Sequence, residues 1–478
     1  MKHVRWMLVV RNWLLMTGYW LLINSATAQP AGDDMNVAPP NGKILKLDEA
    51  IQTALEKNLQ LQAARQSTEA SSWGVKNAYT QFLPSVNLSL SYARIDGASF
   101  NSANAFSQIG RFLAQQTLLD ADPTNDVDPA LIRQTAFRNS YGPSVSVTQP
   151  IFTGGTLLAN VSVAQAMDMT AQANLADTEQ QVIYNTQLAY FNVLRAHDLI
   201  VVAKDQLQTA EEHLSSARKQ VDAGLRSKTE ILRWEVQKAN AESFLAQAEN
   251  GLALARPALN QVLGLELNAE YSVLPVEDIS VQIPATVDEQ IATALRKHPG
   301  LRVMEANVDL AGAQVKVERS NFTPKVALAY NYSWEANNTL KLDSYKTWSL
   351  GISAQFPIFN SFRDYTNLQK AQATKQQTET MQQDFERGLR LQVLQASHNL
   401  DLAKRQLTLT EKARAQAEEN FRVIKRSYEV GLAANLDFLD AQNAQNQARW
   451  DNVNIKYDYL LAKTALAQAM GVLRASNQ

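Results

Sequence analysis

The residue types that most often carry catalytic or metal chemistry are few in this chain, and they stand apart from one another. Cysteine is absent, which excludes disulfides and thiolate metal sites. The sequence contains no glycine-rich phosphate loop with a lysine, no His-Glu-x-x-His helix and no Gly-x-Ser-x-Gly elbow. Beyond the N-terminal segment, the histidines are isolated on predicted helical segments: His197, His213, His298 and His398. We therefore expect no catalytic residue, no metal site, no cofactor and no enzyme activity.

One acidic cluster has a spacing similar to that of a calcium-binding loop. Its members are Asp120, Asp122, Asp126 and Asp128. A tight calcium loop also needs a glycine at its sharp turn, and this cluster has none. We therefore interpret the segment as a solvated loop and not as a metal site.

The charges are balanced, with 45 Lys and Arg against 47 Asp and Glu, and no basic block stands out. This argues against a nucleic-acid partner, because a phosphate backbone is bound by clustered cations. Outside the N-terminus, no apolar run approaches the roughly 18 residues that a bilayer-spanning helix needs.

The first residues form a segment of their own. Lys2, Arg5 and Arg11 give a positive start, an apolar stretch covers 13–23, and Ala26-Thr27-Ala28 has the small-residue pattern of a signal-peptidase site. This predicts an export signal over residues 1–28, with a retained membrane anchor as the alternative. No cysteine follows for lipid attachment. The predicted destination lies beyond the inner membrane.

The rest of the chain is a tandem duplication. Residues 47–92 align with 287–332 at a constant offset of 240, and residues 149–264 align with 356–471 at an offset of 207. The change of offset means that the first half carries a 33-residue insertion. The predicted units are an N-terminal linker at 29–44, a first repeat at 45–265, a connecting segment at 266–286 and a second repeat at 287–473.

Each repeat contains two segments in which apolar and polar residues alternate, which predicts strands at about 85–94, 142–149, 325–334 and 346–356. Their polar faces are small and uncharged. Aromatic residues cluster near the ends of these segments: Tyr92, Tyr141, Tyr332, Trp334, Trp348 and Phe356. A lipid-facing barrel wall with interfacial aromatics has this pattern, although an ordinary core sheet can alternate in the same way. For a barrel, the insertion at about 95–140 lies on the extracellular side.

Two long helical hairpins make up most of the rest, at 153–264 and 360–471. Apolar residues recur at alternating spacings of four and three, as in the series Val182, Thr186, Ala189, Val193, Ala196 and in its counterpart Leu389, Val393, Ala396, Leu400, Ala403, which continues through Arg414. This spacing predicts coiled-coil packing. Each first helix stops at a glycine, Gly224 or Gly431, and a second helix begins at Thr229 or Leu436.

The number of strands has a consequence for assembly. Four strands cannot close a barrel, since about eight is the practical minimum. Unpaired strand edges must find partners. The sequence therefore predicts that strands pair between copies of the chain.

Three motifs together resemble the TolC-like outer-membrane efflux channel family. They are Pro-Ile-Phe after the strand pairs at 150–152 and 357–359, the turn Ala223-Gly224-Leu225-Arg226-Ser227, and the turn Tyr428-Glu429-Val430-Gly431-Leu432. The resemblance extends from about Leu45 to Leu473. It implies a mainly α fold with a small β part, in which three copies build one 12-stranded outer-membrane barrel above a periplasmic α-barrel of coiled-coil helices, with 266–286 as an equatorial segment.

The resemblance also implies a function and partners. Channels of this family are passive exits of multidrug efflux or type I secretion systems, opened at the periplasmic tip by an adaptor protein and supplied by an inner-membrane pump. Two other classes stay open from the residues alone: a soluble periplasmic coiled-coil scaffold or adaptor, and an envelope enzyme with helical decoration. The sequence does not identify the cargo.

Site residues follow from matching positions. Adaptor docking is expected at the two turns, Gly224, Leu225, Arg226, Ser227 and Gly431, Leu432, Ala433, Ala434. The periplasmic gate is expected at Asp437, Asp440, Tyr428, Thr229 and Glu230. The chain departs at Ala433 from the best-studied arrangement of this family, which has a basic residue there, and Arg226 is the candidate to replace it.

The acidic pair also has a physical rationale. Three copies of Asp437 and Asp440 place six carboxylates around one axis, and at about 8 Å in a hydrated pore each pair repels by roughly 0.5 kcal/mol. Such a ring attracts cations and favours an expanded entrance. Alternatively, both are first-turn residues that complement the helix dipole.

Overall fold

The computed structural model describes residues 44–94, 96, 139–224, 226–334 and 346–473. The predicted signal peptide, all but Ile44 of the predicted linker, and nearly all of the predicted insertion, including Asp120, Asp122, Asp126 and Asp128, lie outside the described residues. Leu225 also lies outside them.

The largest sheet is antiparallel, in the order β2–β3–β5–β6. Its strands are β2 (Ser85–Arg94), β3 (Asn139–Phe152), β5 (Lys325–Trp334) and β6 (Lys346–Gln355). Two further strands, β1 (Ile44–Leu45) and β4 (Ser272–Val273), form a short parallel pair. Ile44 therefore belongs to a strand and not to the predicted linker.

The second segment of alternation was predicted too short. A strand was expected over 142–149, but β3 runs over Asn139–Phe152, because it is paired on both edges. It pairs with β2 over 139–148 and with β5 over 144–152, so each end has a partner. The predicted insertion therefore ends before Asn139. At one edge of the sheet, β6 stops at Gln355, one residue short of its predicted end.

The sheet preserves the duplication as a repeated register. Tyr92 pairs with Tyr141 in β2 and β3, and Tyr332 pairs with Trp348 in β5 and β6. Adding 240 to the number of the β2 residue and 207 to that of the β3 residue converts the first pair into the second. The same two offsets convert all the remaining β2–β3 pairs into β5–β6 pairs. The two hairpins are therefore structurally equivalent.

Eight helices are described. The two helices of 67 residues are α3 (Thr156–Asp222) and α7 (Arg363–Glu429), each about 100 Å long at 1.5 Å per residue. Each turns back into a shorter helix, α4 (Lys228–Leu263) or α8 (Asn435–Ala469). The other helices are α1 (Leu47–Lys57), α2 (Leu59–Thr80), α5 (Val287–Lys297) and α6 (Pro299–Ser320). No helix among the described residues is long and apolar enough to cross a membrane.

The helices lie side by side as a layer. Near the sheet the order is α2–α3–α6–α7, and towards the far end it is α4–α3–α8–α7. The predicted seam is buried where α3 meets its neighbours: Val182, Thr186, Ala189, Val193, Ala203, Ala210 and Leu214 are all buried. Small alanines in this seam allow close helix approach. Arg414 was grouped with the apolar seam of α7, but it is exposed and donates from Nη1 to Asn452 Oδ1 at 3.2 Å.

A buried core packs Tyr190 of the first repeat together with Tyr457 and Leu460 of the second repeat. Tyr190 of α3 is fully buried, and its hydroxyl lies 2.9 Å from the carbonyl of Leu45 and 2.8 Å from that of Leu274. The same oxygen accepts a hydrogen bond from the Leu274 N–H at 3.0 Å. Burial raises the pKa of Tyr190 to about 12. This hydroxyl ties the β1–β4 pair to α3.

The junctions between strand and long helix differ between the repeats. In the first, Gly154 and Gly155 have φ values of 65° and 87°. In the second, Ser361 and Phe362 have φ values of 51° and 59°. For a residue with a Cβ, this left-handed conformation costs roughly 1–2 kcal/mol.

Candidate functional site

The far end of the helical layer, which we call the tip, consists of the two helix turns. Gly224 and Gly431 have φ values of 73° and 80°, and each N–H bonds back to the preceding turn at 3.0 Å. A Cβ at either glycine would meet no atom of the described residues within 4 Å. The glycines are therefore needed for their backbone conformation and not for space.

The start of each second helix uses the residues predicted for docking and gating. Ser227 Oγ accepts a hydrogen bond from the Thr229 N–H at 3.4 Å, and Thr229 Oγ1 lies 3.1 Å from Ser227 Oγ. Asp437 Oδ2 accepts from the Ala434 N–H at 3.2 Å. Ser227 and Asp437 thus each stabilise a helix start in the single chain, and Thr229 supplies the N–H that Ser227 caps. Asp440 is exposed one turn further along α8.

A contact between the two hairpins brings together three charged or aromatic groups. The guanidinium carbon of Arg226 lies 5.5 Å from the centre of the Tyr428 ring. Arg226 Nη1 lies 3.6 Å from Glu230 Oε1. Tyr428 belongs to α7 in the second hairpin, and the other two residues belong to the first hairpin. This group therefore joins the two hairpins at the tip. We call these three residues the latch.

Glu230 is more enclosed than Arg226, with a side chain 13% exposed against 35%. Its Oε2 atom is buried and has no hydrogen-bond partner among the described residues. The pKa of Tyr428 is raised by burial and, to a smaller extent, by the Glu230 charge, while Arg226 opposes the rise. The latch tyrosine is therefore neutral at physiological pH.

Beneath the latch is an aromatic cluster centred on Phe438 of α8. Its ring centre lies 4.9 Å from that of Tyr428, 5.8 Å from Trp234, 5.3 Å from Phe421 and 4.7 Å from His213. Trp234 and Phe438 are fully buried. The cluster connects four helices of the tip, α3, α4, α7 and α8, so it holds the two hairpins against each other.

His213 stacks on Trp234 with ring centres 4.8 Å apart. Burial lowers the pKa of His213, Lys425 lowers it further, and Glu212 and Glu429 act in the opposite sense. Sequence reasoning recognised this histidine only as an isolated helical residue. The available signal was the position of Trp234 and Phe438, each a few residues into the helix that follows a tip glycine.

The docking residues form the exposed end of the tip. Leu432 is 84% exposed, and Val430 and Leu436 beside it are also exposed. The N–H groups of Leu432 and Ala433 donate to the Ser427 carbonyl at 2.8 and 3.2 Å, which holds the turn. Ala433 offers only its methyl group at the position where the resemblance implies a basic residue.

Further from the tip, charged groups link three helices. Arg449 of α8 pairs with Asp205 of α3 through Nη1 and with Glu418 of α7 through Nε, the latter at 3.0 Å. Within the part of the chain that the structure describes, no three acidic or histidine side chains gather as a metal-binding group.

The predicted interface aromatics lie at the two ends of the sheet. Tyr92 and Tyr141 have ring centres 4.9 Å apart, and those of Tyr332 and Trp334 are 4.7 Å apart. Trp348 pairs with Tyr332, so these five lie at the end remote from the helices. Phe356 lies at the helical end, and both it and Trp348 are exposed.

Comparison with known proteins gives a family match over most of the chain. A family model described as outer membrane efflux protein matches residues 50–265 and 291–472. The two matched segments coincide closely with the two repeats.

Individual relatives have low sequence identity to this chain but match it over long segments. The outer membrane efflux protein BepC of Brucella suis is 22% identical over 342 residues, covering 71% of this chain and 74% of the relative. The cobalt-zinc-cadmium resistance protein CzcC of Cupriavidus metallidurans is 28% identical over 328 residues, which cover 67% of this chain and 75% of the CzcC chain. The crystal structure of the Campylobacter jejuni CmeC outer membrane channel superposes with a TM-score of 0.73 at 17% identity, covering 90% of this chain and 87% of that one.

Proposed function

The chain belongs to the outer membrane efflux protein family, and from that premise we propose that it is the passive exit channel of a tripartite efflux or secretion system. Proteins of this family work as homotrimeric outer-membrane channels with adaptor and inner-membrane pump partners. The protein lies in the outer membrane with a helical tunnel in the periplasm. Its cargo passes from the pump through this tunnel to the exterior.

The observation that carries this proposal is the apolar face of the sheet. Val86, Leu88 and Leu90 of β2 are exposed, as are Leu350 and Ile352 of β6. A core sheet would bury these side chains, and a soluble scaffold has no use for them in water. Lipid accounts for one face, and a hydrated lumen accounts for the small polar residues of the other face.

The edges of the sheet and of the helical layer in the single chain support a trimer. Strands β2 and β6 end the sheet, so each has one unpaired edge among the described residues. The helices at the ends of the layer, α4 and α7, also carry exposed apolar side chains: Leu232, Val236, Phe244, Leu391, Leu394, Leu402 and Leu409. Three copies joined edge to edge would pair all twelve strands and cover these helices.

At the tip we assign closure to two groups of residues, the latch and an acidic ring. The latch of Arg226, Glu230 and Tyr428 holds the two hairpins of a protomer together, with Arg226 in the role left vacant by Ala433. Three copies of Asp437 and Asp440 form the acidic ring at the entrance. Asp437 also stabilises its own helix start, so its charge serves both purposes.

The adaptor docks on the exposed turns. Leu432 and its neighbours offer an apolar end whose removal from water favours association, and Gly224 to Ser227 form the matching turn of the first hairpin. Docking here acts directly on the latch, because Arg226 belongs to the docking turn. The adaptor and the pump thus supply the opening energy, and the channel itself supplies the conduit.

The duplication supplies a sharp experiment for the trimer. Within the chain, Ser146 of β3 pairs with Asn331 of β5. Applying the two offsets to that pair predicts that Ser353 of one protomer faces Ser91 of the next protomer. The chain lacks cysteine, so Ser91→Cys with Ser353→Cys introduces the only two thiols, and mild oxidation is expected to give covalently linked trimers.

A matched control shifts one thiol along the same strand face. Ser91→Cys with Ser349→Cys moves it by four residues, about 13 Å at 3.3 Å per residue, which is beyond the roughly 7 Å between Cα atoms that a disulfide allows. The control should stay unlinked. A detergent-extracted monomer that links in neither variant contradicts the channel proposal.

A further inference from the structure

A strained backbone marks the second strand–helix junction. Ser361 and Phe362 are the non-glycine residues with positive φ among those the structure describes. At the equivalent positions of the first repeat the chain has Gly154 and Gly155, which adopt this conformation without a steric penalty. The second repeat therefore keeps a bulky side chain where glycine would be easier. Strain of this kind persists where the side chain has a use.

The space around the Phe362 Cβ follows from its repeat partner. Strand β3 and helix α3, which meet at Gly155, have neighbours on both sides, β2 and β5 in the sheet and α2 and α6 in the helical layer. A Cβ at Gly155 would nevertheless meet no atom within 4 Å. A side chain that starts at this position thus has room beside the lateral neighbours. By the same geometry, we expect the Cβ of Phe362 to have room beside the next protomer.

The face of the barrel follows from strand pairing. Phe152 of β3 pairs with Val326 of β5, which begins the apolar row that continues with Leu328 and Tyr330. Paired residues share a face of a sheet, so Phe152 lies on the apolar side. Its repeat counterpart is Phe359, whose ring lies perpendicular to that of Phe362 with centres 5.3 Å apart. The two rings are therefore on the lipid side of the barrel.

The surroundings of the pair suit the boundary between acyl chains and head groups. Phe359 and Phe362 are 71% and 70% exposed, and exposed Ile358 precedes them. They lie where the sheet ends and the periplasmic helix begins, and the next residue is the exposed cation Arg363. Aromatic rings concentrate at this depth in membrane proteins, and an adjacent guanidinium matches a lipid phosphate.

We propose that Phe359 and Phe362 form a lipid anchor that inserts among phospholipids of the inner leaflet of the outer membrane, with Arg363 at their phosphates. The proposal rests on the channel function proposed above. It explains why the chain tolerates a left-handed phenylalanine at this junction: the ring is directed into the interface by a backbone conformation that its repeat counterpart adopts as glycine.

Depth-dependent quenching tests the anchor. Phe362→Cys and, separately, Phe359→Cys are labelled with a bimane fluorophore and reconstituted into vesicles of phosphatidylethanolamine and phosphatidylglycerol that contain nitroxide lipids. Leu350→Cys on the apolar face of β6 is the positive control, and Leu436→Cys at the tip is the negative control; both positions are exposed in the single chain. Labels at 359 and 362 should lose most of their emission to a head-group nitroxide and less to a mid-chain nitroxide.

Each result decides one question. If position 350 is quenched while 359 and 362 behave like 436, the anchor is wrong and the channel stands. If position 350 is also unquenched, the sheet does not face lipid and the channel proposal fails first. Efficient disulfide formation between Phe82→Cys and Phe362→Cys, without lipid quenching, would assign the surface to a second copy of the chain and overturn the anchor.

Discussion

Replacing Arg226 with alanine is the most direct test of the latch. Arg226 contacts both other members, the Tyr428 ring at 5.5 Å and Glu230 Oε1 at 3.6 Å. The truncation removes both contacts and leaves the enclosed Glu230 carboxylate without its cation. Closure of the tip should therefore weaken, while the barrel and the trimer interface are unaffected.

The expected size follows from the exposure of the groups. A cation over an aromatic ring at a partly exposed site contributes about 0.5–1 kcal/mol. The ion pair with Glu230 adds less than about 1 kcal/mol, because Arg226 is 35% exposed and solvent screens it. Together these give about 1.5 kcal/mol, or roughly tenfold in the open–closed equilibrium of one protomer. If three protomers open together, the factor approaches a thousandfold.

Single-channel recording in planar bilayers measures this equilibrium as open probability and resting conductance. Arg226→Ala should raise both, and Arg226→Lys should fall between it and the parent, since lysine retains the charge without the planar stacking group. Lys228→Ala is the matched control: it removes an exposed cation of the same tip that has no ion pair among the described residues. Equal conductance for Arg226→Ala and Lys228→Ala would refute the latch.

Further predictions concern the ring, the aromatic cluster and the central core. Asp437→Asn with Asp440→Asn should lower cation selectivity and alter conductance in bilayers, and unchanged values would remove the ring from the gate. The lowered pKa of His213 means that its neutral form is favoured in the folded tip, so its contribution to stability is present above the unfolded pKa of about 6.5 and is lost as the pH falls through the lower folded value. Conductance should therefore rise on acidification, His213→Phe should reduce that response, and an identical pH profile in both proteins would show that another group titrates. Tyr190→Phe leaves the Leu274 N–H and the facing carbonyls without their partner and should cost about 1–3 kcal/mol, seen as a lower midpoint of thermal unfolding; an unchanged midpoint would mean that water replaces the hydroxyl.

The sequence predicted much of the fold because its signals are local and repeated. Alternation over 85–94 and 325–334 coincides with β2 and β5, and the tip glycines lie where the long helices end. The errors arose where pairing with distant strands decided the boundary, as at Asn139 and Phe152 of β3. Arg414 was misassigned because heptad spacing identifies a position and not the side chains that surround it.

At the tip, too, the sequence predicted individual residues but not the contacts between the two hairpins. Matching motifs named Tyr428, Thr229 and Glu230, and these remain predictions of a gate. The sequence could not show that Arg226 reaches Tyr428, because the two residues belong to different repeats and meet only when the hairpins pack. Nor could it show the ring cluster around Phe438, whose members come from both hairpins.

By itself, the order of residues determined the duplication, the helical and extended segments, and the shortage of strands that makes assembly necessary, because each depends on periodicity or on counting. Tertiary structure alone decided which charges meet at the tip, how far β3 extends at each end and which ring Phe362 contacts. Those features depend on distances between segments far apart in the chain, and only packing of the two repeats against each other sets such distances.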